Sequence, residues 1–146
     1  MSVRNDIAEN IVNVLQNATD PQFVLVTRSP IDPQQLSNAQ FPAVYVEALD
    51  ESREDINMKN QPGAMRSSVL NMGVVIFVKT SPEMMDETRN DAIERAEEVL
   101  TADQTRGSVA DYTELKEIAV DNDVEVTIGK ITLTFEVGYR YRTGVA

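Results

Sequence analysis

The stretch Lys130 to Arg142, K-I-T-L-T-F-E-V-G-Y-R-Y-R, constrains this chain more than any other. Ile131, Leu133, Phe135, Val137, Tyr139 and Tyr141 fall at every second position, with Thr132, Thr134, Glu136, Gly138 and Arg140 between them. Side chains alternate across a strand with period two, so this spacing predicts one long strand with a continuous apolar face. The β-branched and aromatic content agrees. The remaining chain has to cover that face.

Four elements, a helix and three strands, precede a second helix. Val3, Ile7, Ile11, Val14, Leu15 and Ala18 recur at spacings of three and four, which predicts an amphipathic helix. Ser2 is its N-cap, and Asp20-Pro21 ends it. A short strand is expected over Phe23–Arg28, followed by a proline-bearing loop from Ser29 to Gln40. Ala43–Leu49, entered through Pro42, reads as the second strand. Asp50–Arg66 has no sustained period and carries the turn signal Pro62-Gly63, so it reads as a long projecting loop. Such loops are either functional or solvated mobile hairpin tips, and the residues alone leave both open.

Ser67–Thr80 is the third strand, with Leu70, Met72, Val74, Ile76 and Val78 on one face and Val75 and Phe77 on the other. Apolar residues on both sides mark a strand covered twice, either by its own chain alone or by its own chain and a partner. Ser81-Pro82-Glu83 opens a second helix, with Ser as N-cap and Pro at the first helical position. Met85, Ala92, Ile93, Ala96, Val99 and Leu100 form its buried stripe, and its other face is acidic: Glu83 to Asp103 holds eight acids against Arg89 and Arg95. Thr101–Asp111 reads as a loop.

Tyr112–Val120 is ambiguous between helix (Leu115, Ile118) and strand (Ile118, Val120), and strand is favoured, followed by a turn at Asp121-Asn122-Asp123. Val124, Val126 and Ile128 alternate, then the phase breaks at Gly129-Lys130. A two-residue hairpin there puts Ile128 opposite Ile131, Val126 opposite Leu133 and Val124 opposite Phe135. A β-bulge at Gly129 gives the same facing within one strand. The hairpin is the preferred reading. The expected fold is α+β in one domain over residues 1–146: a mainly antiparallel sheet of four to six strands, two helices packed on it, in the order α-β-β-β-α-β-β.

Composition narrows the chemistry. The chain has neither cysteine nor histidine, which removes thiolate and imidazole nucleophiles, bases and metal ligands from the repertoire. A formal net charge of −11 opposes binding to a phosphate backbone or an anionic membrane surface. The N-terminal ten residues lack a signal-peptide core, and no apolar run is long enough to span a bilayer, so a soluble intracellular-type chain is expected. The carboxylate pairs Glu47/Asp50, Asp86/Asp91 and Asp121/Asp123 have nothing to set them apart from surface acid. D-N-D-V-E at 121–125 lacks the glycine and distal glutamate of a calcium loop, and the scattered glycines form no phosphate loop. No catalytic, cofactor or metal residue is expected, and an enzyme is disfavoured. Arg140 and Arg142 flank Tyr141 in a basic, aromatic strip; an exposed edge-strand face explains it, and so does a contact with an acidic neighbouring copy.

The layout resembles the tail terminator (tail completion) proteins of tailed bacteriophages. The resemblance lies in the short N-terminal helix, the strand ending near Arg28, the Pro-led strand F-P-A-V-Y-V, the long strand M-G-V-V-I-F-V, the acidic helix and the closing L-T-F-E-V-G-Y-R-Y-R-T. It covers nearly the whole chain through order and spacing, and transfers no individual residue. It implies a virion structural protein, made in the host cytoplasm, that assembles into a hexameric ring at the end of the tail. Such a ring caps the tail tube, stops its polymerisation and joins the tail to the head connector. The implied partners are further copies of the chain, the tail tube protein and the connector or neck protein. The third strand and the 50–66 loop become interface candidates, with Arg53, Met58, Met65, Arg66, Tyr139, Arg140, Tyr141 and Arg142 as the residues concerned. The alternatives are another head–tail joining protein or a small non-viral protein-binding domain.

Overall fold

The computed structural model describes residues 2–55 and 65–142. Helix α1 (Val3–Gln16) starts where the Ser2 hydroxyl accepts from the Asn5 N–H, with Asp6 favourably placed in the first turn. Its stripe of Ile7, Ala8, Ile11, Val12 and Leu15 is buried. The helix ends at Gln16, capped by Asn17, four residues before the Asp20-Pro21 stop expected from the sequence; Ala18 is nevertheless buried.

Five strands follow: β1 (Leu25–Thr27), β2 (Ala43–Asp55), β3 (Met65–Lys79), β4 (Tyr112–Glu125) and β5 (Ile128–Arg142). They form one sheet in the order β1-β2-β3-β5-β4. β1 runs parallel to β2, and every other pairing is antiparallel. This is the expected α+β fold and element order. α1 and α2 (Met85–Ala102) lie on one face, over Leu70, Met72, Val74, Ile76 and Val78 of β3 and Ile131, Leu133, Phe135 and Val137 of β5.

Two sequence readings need correction. β2 and β3 both extend into the stretch read as the loop 50–66: residues 50–55 and 65–66 are strand, with Asp55 paired to Arg66. Met58 and the Pro62-Gly63 signal lie outside the described residues. The second correction concerns Gly129-Lys130, which is neither turn nor bulge. β5 pairs with β3 without interruption from Ile128 to Arg142, and the two-residue turn joining β4 to β5 is Val126-Thr127. β4 therefore continues through the expected Asp121–Asp123 turn to Glu125, and Ile128 lies on the face opposite Ile131.

That opposite face explains the phase break. Ile128 joins Val75, Phe77 and Phe41 in a second, smaller core, against Ile31, Leu36 and Tyr45. The segment between β1 and β2 supplies the cover. It must cross over the sheet because β1 and β2 are parallel. Along the way it forms two 3-10 turns, Pro33–Gln35 and Asn38–Gln40. The apolar side chains of the third strand thus find both covers within their own chain. Gly129 is needed for close approach: a Cβ there would sit 2.7 Å from Met85 Sδ, at the start of α2.

α2 is entered through a 3-10 turn, Pro82–Met84, and Ser81 makes no side-chain cap bond. Its far end is closed by Arg106, a buried residue at positive φ whose guanidinium donates to the Leu100 and Asp103 carbonyls. Those carbonyls have no partners within the helix, so a cation at the C-terminus satisfies both their hydrogen bonding and the helix dipole. Burial lowers the Arg106 pKa.

Candidate interface at the sheet edges

Two β-bulges decide which side chains reach the ends and edges of the sheet. In β2 the register jumps between Ala48 and Glu51. The extra residue moves Glu51 and Arg53 onto the helix-bearing face, whereas Glu47 points to the other face. In β4 the jump lies between Leu115 and Glu117, which lets Leu115 and Ile118, three apart, share one face. The helix-like spacing of that segment has this origin.

The β2 bulge builds a cluster. The Glu51 carboxylate is 5% exposed and accepts from Arg53 Nε at 2.7 Å, from the Tyr139 hydroxyl at 2.8 Å and from the Ser68 hydroxyl. Arg4 Nε of α1 lies 3.4 Å from its other oxygen, a charge contact rather than an aligned hydrogen bond, and Arg4 also donates to the Leu49 carbonyl. The Arg53 guanidinium sits over the Tyr141 ring, 4.6 Å from its centroid, and the Tyr139 and Tyr141 rings are 5.9 Å apart. Burial pulls the Glu51 pKa up, but the three hydrogen bonds and the Arg53 charge outweigh it and hold the carboxyl below the ordinary range. The same contact raises the Arg53 pKa. Burial, and then donation to Glu51, raises that of Tyr139. Oε2 of this ionised carboxylate is filled by three donors, while Oε1 is buried and faces the Arg4 guanidinium without an aligned hydrogen bond, so the group acts as a counter-ion within the protomer.

Arg53, Tyr139 and Tyr141, proposed from the sequence as interface residues, therefore meet at one site, reached also by Arg4, Glu51 and Ser68, which the sequence reading missed. Tyr139 and Tyr141 are buried within the protomer, and Arg53 is partly exposed. Arg66 is half-buried on β3 opposite Tyr141. Arg140 faces the other way and is exposed, with Nε and one terminal nitrogen at 3.1 and 3.2 Å from the Asp111 carboxylate. The side chains of Met65 and Arg142, like Met58, are outside the described residues.

β4 is the outermost strand and pairs only with β5 among the described residues. Tyr112 lies across Gly138, where an added Cβ would meet its ring at 2.0 Å, and its hydroxyl donates to Glu136 at 2.8 Å. Burial, and then that hydrogen bond, pushes the Tyr112 pKa up to about 12. Farther along, Ile118 and Val120 pair with Leu133 and Ile131 and so point to the helix side, but α2 does not reach them: they are 48% and 46% exposed.

Elsewhere the surface is ordinary. A cleft of about 360 Å³ between α2 and the Asp20-Pro21 turn is lined by Asp91, Glu94 and Glu98, and by Arg95, which is already bonded to the Asp20 carbonyl. Glu47, Asp50, Asp86, Asp91 and Asp121 are exposed, and the Asp123 side chain is outside the described residues. Among the described residues no group of acidic side chains is arranged to hold a metal ion, and no helix is long and apolar enough to cross a membrane.

No family model matches the chain, and no curated protein matches it. Among solved structures, a chain of the virion of a native gene transfer agent (GTA) particle superposes with a TM-score of 0.52 at 12% identity, over 94% of each chain. At that identity the likeness is one of fold. It spans essentially the whole of both chains.

Proposed function

We propose that this chain is a virion structural protein of the tail terminator kind. In this reading, copies form a hexameric ring at the end of the tail tube, halt its growth and present the surface that receives the head connector. The observation that carries the reading is the end-to-end fold likeness to a chain of a gene transfer agent virion particle, 94% of each. The element order and spacing of the sequence agree with it. The site chemistry is consistent: the Glu51 carboxylate ties β2 to Ser68 of β3 and Tyr139 of β5, and cysteine and histidine are absent. The role is accordingly assembly rather than catalysis. The partners are other copies of the chain, the tube protein and the connector, within a tail made in the host cytoplasm.

Other head–tail joining proteins share the virion setting but act on the connector, so tube length separates the two roles. Removing the gene from its genome is expected to give overlong tails, scored by electron microscopy of lysates. Tails of normal length that merely lack heads would assign the chain to the neck instead.

A further inference from the structure

We propose that the helix-side face of β4, beside α2, is the docking site for an amphipathic helix of a different protein. That helix carries an apolar stripe bordered by lysine or arginine. The inference goes beyond the tail reading and stands on this surface alone.

The helix layer is narrower than the sheet beneath it. Two helices side by side span about 20 Å, the width of about four strands, and the sheet has five. α1 lies over β1 and β2; α2 lies over β3 and β5 and meets β4 near its start. Leu115 is accordingly half-buried, whereas Ile118 and Val120, on the same side, are 48% and 46% exposed. Between α2 and β4 runs a groove of about 560 Å³, walled by Glu97 and Thr101 of α2 and by Tyr112, Glu114 and Leu115 of β4. Ile118 and Val120 extend its apolar floor along the strand. A helix laid there has the surroundings that α2 itself has, with a helix on one flank and an apolar sheet below.

Charge sets the borders of the occupant. Asp86, Glu87, Asp91, Glu94, Glu97 and Glu98 of α2 are exposed, while its two arginines, Arg89 and Arg95, are the less exposed partners of Asp86 and Glu98. On β4, Glu114 is exposed and shared with Lys116, and Glu117 and Asp121 are exposed beyond it. A helix bordered by lysine or arginine meets complementary charge on this surface. A second copy supplies no such helix. Its α2 is acidic, and the single arginine of its α1, Arg4, is held by Glu51 and the Leu49 carbonyl. The occupant is therefore a different protein.

Fluorescence anisotropy tests this with the full chain and labelled synthetic peptides of equal length. One is a leucine–lysine helix with its leucines in a stripe, one has the same residues scrambled so that no stripe forms, and one is a striped leucine–glutamate helix. The striped basic peptide is expected to bind, and the other two about tenfold more weakly or worse. Ile118→Ser with Val120→Ser removes the apolar floor and is expected to weaken the striped basic peptide about tenfold. Glu94→Gln with Glu97→Gln is expected to weaken it about threefold. All four positions are exposed, and unchanged circular dichroism establishes folding. Equal binding of the scrambled or the acidic peptide overturns the proposal, as does failure of the striped basic peptide to bind. An affinity that the serine variant leaves unchanged overturns it as well. If the unmodified chain self-associates and the serine variant does not, the groove holds a second copy and the proposal falls.

Discussion

Glu51 is turned inward by a single extra residue in β2, and its environment makes its charge a source of stability. Its folded pKa lies below the ordinary 4.5, so its contribution is complete above that value and is lost as the pH falls below it toward the folded pKa. Glu51→Gln keeps the shape but removes the charge that Arg53 and Arg4 face. It is expected to cost about 1–3 kcal/mol in urea unfolding at pH 7. The deficit should shrink as the pH is lowered through the acid limb, and a pH-independent deficit would show that the charge is irrelevant. Gly138 tests a second packing statement: with Tyr112 lying over it, Gly138→Ala is expected to destabilise by about 1–3 kcal/mol. In a Tyr112→Ala background that cost should largely vanish, because the two residues share one contact. Additive losses would contradict the geometry. Neither Glu51 nor Gly138 is legible from pattern alone. A bulge shifts the parity that sequence reading relies on, and a glycine does not announce which ring covers it.

Long regular stretches are where element-level reading succeeds. Ile131–Val137 and Leu70–Val78 alternate without interruption because each buries one face under α1 and α2, and α1 shows its helical period for the same reason. Reading fails where the apolar face changes while the backbone does not. Ile128 and Ile131 looked like a fold in the chain, yet they belong to two cores on opposite sides of a straight strand. The segment 29–40 looked like a plain loop because its few apolar residues, Ile31 and Leu36, are not periodic, yet it covers Phe77. Phe77→Ala should therefore cost about 3–5 kcal/mol in thermal or urea unfolding. It should also make the 29–40 segment the first site of proteolytic cleavage. A loss within 0.5 kcal/mol, the range of ordinary surface changes, would mean that the second core is not a packed layer. The Arg106 cap on α2 was likewise hidden, since an arginine in a polar stretch carries no sign of burial.

Over the described residues the molecule is a five-stranded sheet with helices on one face and carboxylate-rich strands, β4 and β2, towards its two margins. Composition foretold little of this beyond what it removed: without cysteine or histidine, the commonest catalytic and metal-binding chemistries are absent. What an isolated chain cannot display in its sequence is the partner that its margins meet, because self-association depends on surfaces assembled from residues far apart along the chain. Light scattering on a sizing column, with negative-stain imaging of the same fractions, reads that property directly. The purified chain, alone or with tail tube protein added, is expected to form closed hexameric rings. A chain that stays monomeric at every concentration and ignores tube protein would contradict the account.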